Sequence, residues 1–256
     1  MNELVLLSTS RAQDAGYAAL ADVATVTDRI GADYRLVGGH MVSVLVALHQ
    51  VTGVPARETA DADLGAQFCV VADPRLVATL QELGYTRPGA SNRFVRPLPD
   101  GLEATIDVLA PSYTGRHEPN QPHGDLVVDE VPGLGYALAA APVRVAVEAQ
   151  LSTGRCLHAT VLVPAPLPAL ALKLLSYGSR HATRDAEDVW RLLAVCHAAG
   201  IGPDAWTRSS VTLRDAALVL RQLTTINSPA LRAIAPDRAT TARIRALASA
   251  VGPGSW

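Results

Sequence analysis

Apolar residues recur along this chain at two spacings, and the prevailing spacing changes near residue 165. Before that point, short apolar runs between turn residues predict strands over 34–37, 59–71, 93–97, 103–109, 126–131, 143–149 and 156–163. Helical spacing in the same part predicts helices over 14–30, 41–48 and 74–83. Beyond it, helical spacing predicts helices over 167–179, 184–199, 213–226 and 237–250. We therefore predict an α+β protein with two domains, a small mixed-sheet domain over 1–165 and a helical bundle over 166–256.

A segment rich in proline, glycine and polar residues interrupts this pattern at 111–124. That composition favours a long surface loop over a helix or a strand. Long loops within compact domains often carry function, so this segment is a candidate functional loop.

The composition is that of an apolar globular protein. Hydrophobic residues make up 49% of the chain and charged residues 18%, which excludes a disordered chain. The net charge of −2 excludes the overall basic character that binds nucleic acid non-specifically, and leaves a local basic groove open.

The cysteines and the apolar runs indicate the cellular compartment of the protein. Cys69, Cys156 and Cys196 are scattered, which favours a reducing compartment over a disulfide scaffold or a structural zinc site. The most apolar stretch, 161–175, contains three prolines, so we expect no membrane span. We expect a cytoplasmic protein.

Two glycines and two carboxylates form the first candidate site. Gly38 and Gly39 end a predicted strand just before a helix, where glycine lets the backbone approach a phosphate closely. The alternative is a glycine turn of purely structural use. Asp61 and Asp63 share one face of a strand and repel each other unless a divalent cation such as Mg²⁺ binds them. The alternative there is a solvated face of an edge strand.

Asp107 is a single charged residue within an apolar strand. A carboxylate in such a place is costly unless it is paired or bound to a metal ion. If its strand lies beside that of Asp61 and Asp63, three carboxylates converge in an arrangement that can hold metal ions for phosphoryl transfer. Asp107 would then take the proton of the attacking hydroxyl. The alternative is a hydrogen-bonded core carboxylate or a helix cap.

The basic residues point to a second segment. The chain has 22 basic residues, and Lys173 is the single lysine among them. Lys173 lies in an apolar helix, so its ammonium group must leave that environment toward an anion; a surface lysine with a buried stem is the alternative. Arg180 lies on the same side of this helix. In the next helix, Asp188 either orients Lys173 or contacts the ligand, and Asp185 complements the helix N-terminus.

These residues together resemble a known superfamily. Gly38-Gly39, Asp61-x-Asp63 and the later Asp107 resemble the DNA polymerase β-type nucleotidyltransferases. Lys173, Arg180 and Arg184-Asp185-x-x-Asp188 are similar to the AbiEii/MenT-type branch, and the resemblance covers about residues 30–200. Members of that branch are toxins of bacterial toxin–antitoxin systems, and several add nucleotides to the 3′ ends of tRNA.

The resemblance implies a Mg²⁺-dependent enzyme that moves a nucleoside monophosphate from an NTP to a hydroxyl acceptor, with the tRNA 3′ end favoured. It implies catalytic roles for Asp61, Asp63, Asp107, Lys173 and Asp188, of which the first three bind metal. It implies nucleotide-binding roles for Gly38, Gly39, Lys173 and Arg180. A cognate antitoxin is an implied partner. The sequence departs from the pattern at His40, where many superfamily members have serine.

Two other functions stay open. One is an antibiotic nucleotidyltransferase acting on an aminoglycoside or lincosamide, which requires a compact acidic pocket for a cationic drug. The other is a catalytically silent binding partner. Five residues are candidates for lining an RNA-binding groove: Arg93, Arg96, Arg116, His117 and His123. The alternative is that they are ordinary surface residues.

Overall fold

The computed structural model describes residues 2–89 and 91–254. Its strands are β1 (Asn2–Leu7), β2 (Tyr34–Val37), β3 (Asp61–Ala66), β4 (Arg93–Pro97), β5 (Glu103–Ser112), β6 (Glu118–His123), β7 (Leu126–Pro132), β8 (Val143–Gln150) and β9 (Cys156–Val163). Its helices are α1 (Arg11–Ile30), α2 (Gly38–Leu48), α3 (Phe68–Val71), α4 (Pro74–Glu82), α5 (Leu134–Ala139), α6 (Pro166–Arg180), α7 (Thr183–Ala198), α8 (Val211–Thr224), α9 (Pro229–Ile234) and α10 (Arg238–Val251). The predicted α+β class is confirmed, because the strands lie in the first part of the chain and helices follow.

The larger sheet is mixed and places the candidate carboxylates on adjacent strands. Its strand order is β2-β3-β5-β7-β6, and β4 also pairs with β5. The β3–β5 and β5–β7 pairs are parallel, whereas the β2–β3, β4–β5 and β6–β7 pairs are antiparallel. A smaller sheet has the order β1-β8-β9. The strand of Asp107 therefore lies beside that of Asp61 and Asp63, which is the condition for the three carboxylates to converge.

The helix α1 begins and ends at local signals that its sequence carries. The Ser10 side chain accepts a hydrogen bond from the backbone N–H of Gln13, and Gly31 ends the helix in the left-handed conformation at φ 65°. Between these caps, helical spacing buries one apolar face that includes Tyr17, Leu20 and Val23. This face packs on the sheet strands and forms part of the main core.

Two predicted elements near the site differ in the structure. The strand predicted over 59–71 ends at Ala66, and Phe68–Val71 forms one helical turn. A short apolar run fits a strand and a buried helical turn equally well, and this run has no neighbouring strand to pair with. The loop predicted over 111–124 contains β6, which pairs with β7 across a register shift. Its prolines are tolerated because β6 lies at the edge of the sheet.

The second part of the chain is helical, as predicted from residue 166 onward. The hydrophobic core runs without a break from the strands into α6 and α7. The division into two domains at 165/166 stays a prediction. None of the described helices is long and apolar enough to cross a membrane. The elements β1, α3, α5 and α9 were not predicted from the sequence pattern; α3, α5 and α9 have four to six residues each, and β1 has six.

Arg35 in β2 is a buried cation that ties this strand to the end of α5. Its side chain is 2% exposed, and its guanidinium donates hydrogen bonds to the carbonyls of Tyr34, Leu138 and Ala140 at 2.7, 2.9 and 2.7 Å. It also pairs with Asp33 at 2.6 Å. Because β2 leads directly into Gly38, these bonds hold the edge of the candidate site.

We expect the substitution Arg35→Met to lower the free energy of unfolding by about 3 kcal/mol, because it leaves buried carbonyls without a donor. Urea unfolding followed by circular dichroism measures this change. The matched control is Arg29→Met, since Arg29 is half exposed and lies 3.6 Å from an exposed Glu82. That control should change stability by about 0.5 kcal/mol or less. Equal losses in the two variants would contradict the role of Arg35.

Candidate functional site

A pocket of about 350 Å³ lies between one face of the larger sheet and helices α6 and α7. Most of the residues that the sequence singled out line it: Gly38, Gly39, Asp61, Asp63, Asp107, Lys173 and Arg180. Its volume falls within the usual range for small-molecule sites. The structure thus brings the carboxylates of the sheet and the cations of the helical part to one cavity.

The carboxylates form a group because of strand register. Asp63 in β3 stands opposite Asp107 in β5, and Asp61 lies two residues before Asp63 on the same face. Asp107 is buried, Asp63 is half-buried, and the Asp61 side chain is 45% exposed. Burial, together with the charges of Asp61 and Asp107, raises the pKa of Asp63 to about 7. The charged form of Asp63 is therefore disfavoured at this edge unless a cation offsets the neighbouring carboxylates.

The two glycines are required by the close approach of Asp63 and Thr59. Gly38 has φ 64°, and a Cβ atom there would overlap the carboxylate of Asp63. A Cβ atom on Gly39 would overlap the hydroxyl of Thr59. The first turn of α2, whose N-cap residue Val37 offers no side-chain hydrogen bond, therefore begins directly beside the carboxylates.

His40, the departure from the superfamily pattern, points into the protein interior. It is 2% exposed, and its ring lies 5.6 Å from that of Tyr17, measured between centroids. Burial lowers the pKa of His40 to about 4, so the imidazole is neutral. His40 does not line the pocket, so this position offers no side-chain hydroxyl to a phosphate, unlike the serine of many superfamily members.

The carboxylate of Asp107 is bound by Arg93. The Nε and Nη2 atoms of Arg93 donate to the two oxygens of Asp107 at 2.9 and 2.7 Å, and Nη2 also lies 4.0 Å from Asp61. No group of three His, Cys, Asp or Glu side chains that could hold a metal ion is found in residues 2–89 and 91–254. Asp61 and Asp63 fit the usual Mg²⁺ site, in which one or two carboxylates act with substrate phosphates. Asp107 joins such a site only when Arg93 releases it.

The opposite wall of the pocket is cationic. Lys173 is buried, and its Nζ lies 2.9 Å from Asp188 Oδ2 and 3.4 Å from Asp185 Oδ1. The Arg180 side chain is 52% exposed and pairs with Asp185 at 2.9 Å. Lys173 and Arg180 also lower the pKa of Asp63, although burial and the neighbouring carboxylates prevail. The two walls of the pocket thus act on each other electrostatically.

Asp188 and Asp185 have different places in this wall. Asp188 is fully buried, does not line the pocket, and pairs with Lys173, so the geometry favours orientation of Lys173 over contact with a ligand. Asp185 lines the pocket and pairs with Lys173 and Arg180, beyond its predicted effect on the helix N-terminus. Which side of α7 faces inward depends on packing, which the sequence spacing alone does not fix.

The structure adds pocket residues that sequence reasoning did not assign. Arg57, Asn92 and Asp129 line the pocket, and Asp129 lies 3.5 Å from His117, which the sequence already named as a candidate for an RNA-binding groove. A signal for Arg57 was present in the sequence, since it precedes Asp61 at an even spacing. No comparable signal marks Asp129, whose place follows from the pairing of β5 with β7.

The five candidates for an RNA groove are not all free to form one. Arg96 pairs with Asp22 of α1, and His123 pairs with Glu130 at 3.0 Å and stacks on Phe68. Arg93 is bound to Asp107, Arg116 is exposed, and His117 lines the pocket. Of these residues, His117 is therefore the one that contributes directly to the cavity.

Comparison with known proteins does not place the chain in a family. No model of a protein family matches it. A search of curated proteins also gives no significant match. The function is therefore inferred from the chemistry of the pocket and from the resemblance of its residues.

We expect Asp63→Asn to be more stable than the wild type in EDTA at about pH 8, because it removes one of the repelling carboxylates. The folded pKa of about 7 lies above the unfolded value, so the folded state binds the extra proton and wild-type stability falls as pH rises toward 7. The difference should shrink as the pH falls from 7 and be small at about pH 4, near the unfolded pKa, where the carboxyl of Asp63 takes up its proton in the unfolded state as well. Urea unfolding at both pH values measures this.

The matched control is Asp215→Asn on the exposed side of α8, which should change stability by less than about 0.5 kcal/mol at either pH. A wild type that is equally stable at both pH values, with no gain in Asp63→Asn, would contradict the mutual repulsion of the carboxylates.

Proposed function

We propose that this protein is a Mg²⁺-dependent nucleotidyltransferase that moves a nucleoside monophosphate from an NTP to a hydroxyl acceptor and releases pyrophosphate. The observation that carries the proposal is a single pocket with Asp61, Asp63 and Asp107 on one wall and Lys173 and Arg180 on the other. A metal–triphosphate complex has the matching charges, since its cation faces carboxylates and its phosphates face basic residues.

Each wall has a separate task in this proposal. Asp61 and Asp63 would hold Mg²⁺, which when bound offsets the negative charge of the phosphates. Gly38 and Gly39 allow the carboxylate of Asp63 and the hydroxyl of Thr59 to lie directly against the first turn of α2, whose backbone N–H groups would meet the triphosphate. Lys173 and Arg180 donate hydrogen bonds to phosphate oxygens. Catalysis of this kind depends on positioning and charge stabilisation rather than on a covalent intermediate.

Asp107 is the residue proposed to accept the proton of the acceptor hydroxyl. Both of its oxygens are bound to Arg93, so this role requires that Arg93 move away or share the carboxylate when the acceptor binds. Arg93 is 51% exposed and can leave without unfolding the strand. Asp188 supports the reaction at one remove, because it fixes the ammonium group of Lys173.

The acceptor favoured here is the 3′ end of tRNA, with the protein acting as the toxin of a toxin–antitoxin system. This part of the proposal is supported by the resemblance of the motifs and places the protein in the cytoplasm. A small cationic antibiotic is the second candidate acceptor, and the acidic residues Asp61, Asp107 and Asp129 around the pocket favour it. A catalytically silent binding partner would show neither reaction.

The proposal is tested by incubating the protein with each labelled NTP, Mg²⁺ and total RNA, or with aminoglycosides in place of RNA. We expect label in the tRNA fraction. Asp63→Ala, Lys173→Ala and Lys173→Arg should each reduce transfer at least about 100-fold. The first removes a proposed ligand of Mg²⁺, and the other two remove or displace the positive charge at the phosphates.

The matched control for these variants is Asp215→Ala, which changes an exposed carboxylate of α8 outside the pocket. It should retain wild-type transfer. Label on the drug alone would replace RNA by the small-molecule acceptor. Transfer to neither acceptor, or full activity in Asp63→Ala, would overturn the proposed function.

A further inference from the structure

Arg57 is a cation in the pocket wall to which the proposed reaction gives no task. Its side chain is 16% exposed and lines the pocket beside Gly39. Its Nη2 atom lies close enough to Gly39 that a Cβ atom there would stand 2.9 Å from it. Its Nε atom is buried without a hydrogen-bond partner, and its guanidinium donates no hydrogen bond within residues 2–89 and 91–254. Apart from an ion pair with Asp188, the guanidinium of Arg57 therefore keeps its donors available for a ligand in the pocket.

The backbone that carries Arg57 is fixed by a second arginine. The segment 55–57 belongs to no helix or strand. Arg191, which is 2% exposed, donates from Nε to the carbonyl of Pro55 and from Nη2 to the carbonyl of Ala56, both at 2.9 Å. These bonds hold an otherwise irregular segment in one place, so the guanidinium of Arg57 is presented to the pocket in a defined position.

The charge of Arg57 is not balanced by its protein neighbours. Its Nε lies 3.3 Å from Asp188 Oδ1, but the same carboxylate pairs with Lys173 and Arg191 at 2.9 Å each. Lys173 also pairs with Asp185, which Arg180 shares, and Arg191 also pairs with Glu187, so this group has four cations and three carboxylates. The excess positive charge next to the first turn of α2 suits an anion.

Arg57 and Asp63 lie against successive residues at the start of α2. A Cβ atom on Gly38 would meet the carboxylate of Asp63, whereas one on Gly39 would meet the guanidinium of Arg57, and both side chains line the cavity. In the proposed reaction Asp61 and Asp63 would hold the metal ion. Arg57, beside the next residue of the helix, would then meet the phosphates that leave as pyrophosphate.

We propose that Arg57 binds the β- and γ-phosphates of the triphosphate through its terminal nitrogens, beside Gly39. This inference rests on the proposed function, because it assigns the leaving group of that reaction to a particular residue. A guanidinium donates two parallel N–H···O bonds to phosphate, which the ammonium group of a lysine does not reproduce. Arg57 is accordingly a phosphate-binding residue, and Arg191 is the residue that positions it.

The experiment uses inorganic tripolyphosphate with Mg²⁺ as the probe and isothermal titration calorimetry as the readout. We expect Arg57→Ala to weaken binding by at least about 10-fold, the size of a charged hydrogen bond, and Arg57→Lys to recover only part of that loss. Asp188 keeps Lys173 and Arg191 as partners in both variants, so we expect both to fold. Arg29→Ala, at an exposed site on α1, is the matched control and should bind like the wild type.

Two results would overturn the inference: a wild type that does not bind tripolyphosphate, or Arg57→Ala binding it as tightly as the wild type does. Full recovery of affinity in Arg57→Lys would overturn the guanidinium contact. The labelled transfer assay separates this inference from the proposed function. If the wild type transfers label and the Arg57→Ala variant binds tripolyphosphate normally, the proposed function stands and only the role of Arg57 is wrong. If the variant loses binding but the wild type transfers no label, Arg57 is still an anion-binding residue and the proposed nucleotidyltransferase function is wrong.

Discussion

The geometry of the pocket depends on the ion pairs that the buried carboxylate of Asp188 forms. This carboxylate pairs with Lys173 from α6, Arg191 from its own helix and Arg57 from the segment before β3. An ionised carboxylate that is fully buried is stable only with close, well-oriented partners, and removing it would leave their charges uncompensated. These pairs therefore hold a helix, a second helix and an irregular segment in a single arrangement around the cavity.

The two walls of the pocket carry opposite and unbalanced charge. On the sheet, strand register brings three carboxylates together, and burial together with the charges of Asp61 and Asp107 raises the pKa of Asp63. On the helical side, the four cations Lys173, Arg180, Arg57 and Arg191 outnumber their three carboxylate partners, Asp185, Glu187 and Asp188. A ligand with a cation at one end and several anionic groups at the other would relieve both imbalances, and this is the physical basis of the proposed metal–triphosphate ligand.

The sequence predicted the carboxylate wall because alternation along a strand fixes which residues share a face. It also predicted the position of Lys173, since a single lysine in an apolar helix requires a partner. It did not predict the pairing of Arg93 with Asp107, because cross-strand register depends on which strands become neighbours. The inward direction of Asp188 depends on how α7 packs against α6, and β6 depends on a partner strand for its hydrogen bonds.

The central claim is that carboxylates of the sheet and cations of the helices act on one ligand. A double-mutant cycle tests it most directly, with Asp63→Asn, Lys173→Met and the double variant titrated with a non-hydrolysable NTP in Mg²⁺. The account predicts losses of affinity that are not additive, with an interaction energy of at least about 1 kcal/mol, because both residues act on the same triphosphate. Strictly additive losses, or unchanged affinity in either single variant, would contradict it.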